Sequence, residues 1–214
     1  MLTPVVTPAV LEDLRYRVPA APPAASGLAW LRSRVPRFCD GPEHTRRRAV
    51  LDDLLATMTV IPNLVVDPVV VLLEGLGLPA ERAGDVARVA AAYQPHAPQS
   101  AGADAALERL VAACGGRTDA TAARLCLLVQ AHAGLSALAR QRREGRTGPP
   151  VPTTRRVAPD GAEVEVDLTD APFGRGPHSC PGRALAEAWS AAWREGWPAA
   201  WSAEWPAEWP AVLP

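Results

Sequence analysis

The sequence lacks a surplus of charge, an apolar run long enough to cross a membrane, and an export signal. Its 22 basic residues are all arginine, and 23 acidic residues bring the net charge to -1. A near-neutral chain does not attract nucleic acid or an anionic membrane by bulk electrostatics, so we expect neither as a partner. The longest apolar stretch, 65–78, is interrupted by Asp67 and Glu74 and is too short to span a bilayer.

Paired cysteines are lacking as well. The four cysteines show no CxxC or other paired spacing, and the N-terminus has neither the basic region nor the apolar run of a signal peptide. We therefore expect reduced thiols in a cytoplasmic protein. With 214 residues, 48% of them hydrophobic, the chain is long enough for one domain with a substantial core.

Helical periodicity dominates the pattern that is present. Apolar residues three and four apart predict helices over 27–60 (with a loop at 39–42), 65–78, 80–93, 103–114 and 120–143. The last is apolar on most faces and should be central. Residues 156–168 alternate like a hairpin around a Pro-Asp-Gly turn, and 1–26 form a Pro/Ala-rich segment with one short helical candidate at 8–16. The predicted class is mainly α with a small β-hairpin.

The segment 189–214 carries tryptophan at every fourth position from Trp189 to Trp209. Three prolines, Pro198, Pro206 and Pro210, oppose a helix, so we predict an irregular tail. Two interpretations remain open for the tryptophans: an aromatic binding stripe, or an expanded low-complexity repeat that contains no site.

Residues 173–182, FGRGPHSCPG, have the composition of a loop that holds haem iron through a cysteine thiolate. Glycines let the backbone turn tightly around the sulfur, and backbone N–H groups can then donate to it. Pro181 suits the first turn of a helix, whose positive end would face the thiolate. Cys180 is therefore the candidate iron ligand; an inert buried cysteine beside a glycine turn is the alternative.

This loop resembles that of cytochrome P450, Phe-x-x-Gly-x-(His/Arg)-x-Cys-x-Gly followed by Leu-Ala. The matching residues are Phe173, Gly176, His178, Cys180, Gly182, Leu185 and Ala186. The resemblance implies a haem b cofactor held by the Cys180 thiolate. It also implies a compact or truncated P450-like domain over 27–188.

Other stretches resemble the family's haem-propionate contacts. CDGPEHTRRRAVL, residues 39–51, is similar to a helix start whose His and Arg bind one propionate, which implies that role for His44 and Arg48. Residues four apart share a helix face, and arginine suits a carboxylate fork. TTRRVA is similar to the strand whose arginine meets the other propionate, which implies Arg156, and His178 is the fourth candidate.

The central helix departs from the family's Ala-Gly-His-Glu-Thr-Thr stretch, whose acid and alcohol help to deliver protons to bound oxygen. Here Ala133 and Gly134 replace the acid and the first alcohol, while His132 and the hydroxyl of Ser136 remain. His132 and Ser136 are thus the catalytic candidates implied by the resemblance. A core histidine is the alternative for His132.

The family's Glu-x-x-Arg pair, which braces the haem loop, is absent between 137 and 172. Glu12 and Arg15 have its spacing, but they lie at the other end of the chain. A rearranged bracing role for Glu12 and Arg15 is therefore a hypothesis.

The resemblance implies a haem-thiolate monooxygenase or peroxygenase that oxidises a small apolar organic substrate. Electrons would come from a ferredoxin and its reductase with dioxygen, or peroxide would be the oxidant; Arg175 and Arg183 lie where an acidic ferredoxin would dock, or are solvated surface. A non-catalytic haem-binding sensor or scaffold and a degenerate remnant are the alternatives. Product formation separates the enzyme from the sensor, and haem retention separates both from the remnant.

Overall fold

The structure is a computed structural model that describes residues 3–63, 66–97 and 100–196. Within those ranges it is mainly helical, as the sequence predicted. The α-helices are α1 (Gly27–Arg34), α2 (Gly41–Thr57), α3 (Pro68–Gly75), α4 (Ala83–Ala92), α5 (Ala101–Ala113), α6 (Asp119–Arg143) and α7 (Arg183–Gly196). Short 3-10 helices precede or link them at Pro8–Leu11, Pro36–Phe38, Ala80–Arg82 and Gly176–His178.

Local side-chain caps explain where several helices begin. The Thr118 side chain accepts a hydrogen bond from the Thr121 N–H at the start of α6, and Ser100 caps α5 in the same way through Ala103. Asp67 caps α3, which begins at Pro68 and is therefore shorter than the predicted helix over 65–78.

The described strands form one sheet in the order β1-β3-β2. Strands β2 (Thr153–Val157) and β3 (Glu163–Asp167) are antiparallel, which confirms the predicted hairpin. Strand β1 (Val5–Val6) pairs in parallel with β3, Val5 opposite Glu165. This third strand was not predicted, because two residues in a proline-rich segment carry no strand periodicity.

Helix α6 lies at the centre of the main hydrophobic core. It packs against α1 to α4 and α7, and Leu125 and Leu128 are fully buried. By length and hydropathy alone, Asp119–Arg142 would suffice to cross a membrane, but 61% of its most apolar 18-residue stretch is buried inside the protein. The span is thus explained as a core helix.

The first residues of the predicted irregular tail are helical, which corrects that prediction for 189–196. Helix α7 continues to Gly196, and Trp189 and Trp193 are buried in the main core. Residues four apart lie on one helix face, so the tryptophan spacing serves packing at these two positions. The rest of the tail, 197–214, lies outside the described residues.

Candidate functional site

The Cys180 loop, residues 173–182, connects β3 to α7 and is closed by backbone hydrogen bonds. Gly174 and Gly176 have φ of +68° and +67°, the left-handed region in which a side chain is strained. The Cys180 N–H donates to the Phe173 carbonyl at 2.8 Å, and the Ser179 N–H donates to the Gly176 carbonyl at 3.0 Å. These bonds fix the backbone on both sides of the predicted ligand.

The Cys180 side chain is exposed, and the Gly182 N–H hydrogen-bonds to it. A Cβ on Gly182 would lie 4.0 Å from the sulfur, in ordinary van der Waals contact with it. Packed protein atoms raise the pKa of the Cys180 thiol by desolvation. The Gly182 hydrogen bond and the charges of Arg48 and Arg37 oppose that rise.

Arg48 of α2 binds the backbone of the loop. Its Nη1 donates to the Ser179 carbonyl at 2.8 Å and to the Pro177 carbonyl at 3.3 Å, while its Nε donates to Asp52 at 2.8 Å. Arg48 therefore holds the chain immediately before Cys180. Its contact with a propionate stays a prediction.

His44 and His178, both predicted propionate contacts, lie against each other with ring centroids 4.1 Å apart. Desolvation lowers the pKa of both, that of His178 to about 4, although Asp40 opposes the shift at His178. His178 Nε2 lies 3.0 Å from Asp40 Oδ1. A neutral His178 that donates Nε2–H to Asp40 has no proton on Nδ1, so a propionate contact by His178 stays a prediction that requires another tautomer.

Arg156, the other predicted propionate contact, is buried with only 6% of its surface exposed. Its Nη1 donates to Thr154 Oγ1 at 3.3 Å and to the Arg155 carbonyl at 2.8 Å, and no carboxylate among the described residues forms an ion pair with it. Desolvation lowers its pKa to about 10, so it remains a cation at neutral pH. Asp40 acts on Arg156 only at longer range, because no ion pair joins them. A buried cation without an adjacent anion is unfavourable, and an anionic ligand would offset that cost.

A second cation lies near Arg156. Arg37 contributes to the lowered pKa of Arg156, and its own Nε is buried with no hydrogen-bond partner. Sequence reasoning did not single out Arg37, because no motif includes it.

His132 and Ser136, the catalytic candidates, lie in another environment. Both line a cavity of about 10 Å³ with Asp67 and Trp193, room for about one water molecule. The Ser136 hydroxyl donates to the His132 carbonyl one turn earlier, and desolvation lowers the pKa of His132 to about 4. Trp193 is about 15 Å along α7 from its first residue, at a rise of 1.5 Å per residue. The structure therefore places the pair beside the C-terminal half of α7, whereas Cys180 precedes the start of that helix.

No family model matches the sequence, and no curated protein is similar to it. Among solved structures, the chain is similar to P450BioI, in a crystal structure of its complex with an acyl carrier protein ligated with hexadec-9Z-enoic acid. The two share 16% sequence identity at a TM-score of 0.65, over 88% of this chain and 82% of that chain. The fold is cytochrome P450-like. This confirms the predicted fold class, and at such low identity the likeness concerns the fold alone.

In this P450-like fold, the hypothesised pair of Glu12 and Arg15 does not form. Arg15 binds Asp13 instead, with Nη2 and Oδ2 2.7 Å apart, and its side chain is 76% exposed. Glu12 is also exposed. A bracing role through this ion pair is therefore wrong.

Sequence reasoning missed Asp40, which directly precedes α2 but received no predicted role. One of its carboxylate oxygens is bonded to His178, and the other accepts the Val18 N–H at 3.1 Å. Its signal was weak, because an aspartate before a helix is ordinarily a cap. The Asp40 side chain makes no capping bond at α2.

Proposed function

We propose that the protein is a haem-thiolate oxidoreductase that binds haem b with Cys180 as the iron ligand. The observation that carries this proposal is Arg156, a buried cation with no carboxylate partner in the described parts of the chain. Its charge acts on His178, two residues before Cys180. The two propionates of haem would supply the missing negative charge, and they would do so beside the one cysteine that a glycine turn exposes.

The residues at this site fit the group. Within the described chain, no cluster of three or more His, Cys, Asp or Glu could hold a metal ion, so iron bound by Cys180 would need its other ligands from a macrocycle. Arg156, Arg48, His44 and His178 would hold the propionates. When bound, haem would supply the redox-active iron.

The chain's own groups would offset part of the cost of burying the thiolate. The Gly182 N–H donates to the sulfur, and α7 begins three residues after it, so the positive end of the helix is close. Because the pKa of the thiol is raised, Cys180 is protonated at neutral pH in the absence of iron. Haem binding should therefore release a proton and strengthen as the pH rises.

The oxidant and substrate follow from what α6 offers. No acid–alcohol pair follows His132, and the Ser136 hydroxyl is engaged within the helix, so peroxide is favoured over dioxygen as the oxidant. We propose a small apolar organic substrate. The acyl chain carried in the P450BioI complex is an example of an apolar chain, and an acyl carrier protein is a partner of that neighbour. A ferredoxin and its reductase are needed only if dioxygen is used.

The test is the carbon monoxide difference spectrum of reduced protein expressed with a haem precursor. We expect the strongly red-shifted Soret band of thiolate ligation, lost in Cys180→Ala and retained in Cys114→Ala, a half-buried cysteine at the end of α5. A histidine-type band in the unmodified protein would refute the Cys180 assignment. Folded protein that takes up no haem would favour the alternative that the chain is a degenerate remnant. Protein that binds haem but forms no product from peroxide would favour the alternative of a non-catalytic sensor or scaffold.

A further inference from the structure

We infer that the N-terminal segment, residues 4–18, is the clamp that holds the Cys180 loop in its ligand-presenting conformation. This clamp segment contacts the loop at two separate points. Leu11, Val18 and Asp40 would act as positioning residues. They would orient Cys180 by holding the loop that contains it. The effect of the clamp on haem rests on the proposed function, whereas its effect on the shape of the loop does not.

The first contact is at Gly176. A Cβ built on this glycine would lie 2.5 Å from the Leu11 carbonyl oxygen, a distance that real Cβ atoms essentially never show. It would also lie 3.3 Å from the Glu12 Cα, which is a tight contact. Only glycine lets the clamp segment lie this close. Gly174, two residues earlier and with the same positive φ, has nothing nearer than 3.8 Å to its Cβ position. Gly176 thus carries a second constraint that Gly174 lacks.

The second contact runs through Asp40. Its Oδ2 accepts the Val18 N–H at 3.1 Å, and its Oδ1 lies 3.0 Å from His178 Nε2. One carboxylate therefore joins the end of the clamp segment to the residue two before Cys180. Both contacts fall within the turn Gly176–His178, which the clamp holds from two directions.

The clamp segment is itself anchored to the sheet. Its β1 strand pairs with β3, and Arg17 exchanges two backbone hydrogen bonds with Val157 of β2 at 2.8 and 2.9 Å. Between these points Leu11 is buried in a small cluster with Val166 and Leu168. An element anchored at both ends can transmit a position to the loop.

The test compares two glycine variants by amide hydrogen exchange of the full chain. Gly176→Ala and Gly174→Ala carry the same backbone strain, but only the former meets the Leu11 carbonyl. We expect exchange at the Ser179 and Cys180 amides to rise about tenfold more in Gly176→Ala, with α4 and α5 unchanged. Equal effects of the two variants would overturn the clamp.

A milder variant keeps the inference testable if Gly176→Ala does not fold. Leu11→Ala removes the apolar anchor of the clamp and should also speed exchange at the Cys180 amide, whereas Arg15→Ala, an exposed control, should not. No change at the loop in Leu11→Ala would refute the inference.

The same variants separate this inference from the proposed function. If haem binds, its transfer to apomyoglobin should be several-fold faster in Leu11→Ala than in the unmodified chain. If the unmodified chain takes up no haem, the proposed function fails, and the exchange rates still decide whether the clamp exists.

Discussion

The Cys180 loop and the middle of α6 are the two places where the proposed function needs particular side chains, and they differ in what holds them. The loop is held from outside itself, by Arg48 from α2, by Asp40, and by backbone contact with residues near the N-terminus. The α6 residues His132 and Ser136 face α3 and α7 around a small cavity, and the serine is bonded within its own helix. One fold can thus keep the geometry of a ligand loop while its central helix serves packing.

The largest expected effect tests whether the α6–α7 side is structural. Trp189→Ala should lower the free energy of unfolding by about 3–5 kcal/mol, because this fully buried side chain belongs to the main core. Urea denaturation measures it. Trp189→Phe is the control, since it removes an indole N–H that has no partner while keeping most of the apolar contact, and it should cost less. A loss below about 1 kcal/mol in Trp189→Ala would contradict the interpretation that the α6–α7 side serves packing.

A second effect uses pH to read the burial of His132. Its pKa is about 4 when folded and near 6.5 when unfolded, so the unfolded chain takes up the proton first as the pH falls. Stability should therefore be lost between pH 6.5 and 4, by up to about 3 kcal/mol.

His132→Gln should remove that part of the acid loss, measured as unfolding free energies at pH 7 and pH 4.5. The exposed His96 supplies the control variant His96→Gln, whose effect should be smaller. An unchanged pH profile in His132→Gln would mean that α6 admits water here.

A third effect concerns the loop side. Arg156→Met should weaken haem binding roughly 10–100-fold, because charge-assisted hydrogen bonds to a propionate are lost. The free energy of unfolding of the haem-free protein should not fall, because the substitution removes a buried, unpaired cation. Haem titration and urea denaturation of the same samples measure both.

The neighbour Arg155 provides the control for that experiment. Arg155 is half-buried, and its Nη1 lies 3.8 Å from Glu163 Oε2. Arg155→Met should change the haem affinity by no more than about twofold. If Arg156→Met destabilises the haem-free protein instead, Arg156 serves the fold and not an anion.

The smallest effect sharpens the interpretation of α6. Ser136→Ala should change the free energy of unfolding by less than about 1 kcal/mol, because its hydroxyl donates only to a carbonyl of its own helix. Product formation from peroxide should also be unchanged. Loss of product at unchanged stability would make Ser136 catalytic and give α6 a chemical role.

Much of the fold followed from local patterns. Helix periodicity predicted α2, α5 and α6 closely, and the Pro-Asp-Gly turn predicted the hairpin. Strand β1 was not predictable, because two residues show no alternation and their partner, β3, is far along the chain. The predicted start of the irregular tail was wrong for 189–196, because the tail prolines on which the prediction rested all follow Gly196 in the sequence.

The candidate site likewise has a part that local sequence predicts and a part that only the tertiary fold determines. Glycines and a proline around Cys180 predicted the turn, because they constrain their own backbone. The contact of the Leu11 carbonyl with Gly176 had no sequence signal, because every residue has a carbonyl and only the tertiary fold selects one. The same applies to Arg37, whose buried Nε becomes notable only once its neighbours are placed.

The pairing of Val5 with Glu165 also orders events in time. During synthesis, β1 cannot pair until β3 has been made, and β3 follows α1 to α6. Contacts this distant in sequence close slowly, so we expect β1 to join the β2–β3 hairpin last. The N-terminal residues would then remain exposed to proteases throughout synthesis, and the cysteine turn would take its shape only when they dock.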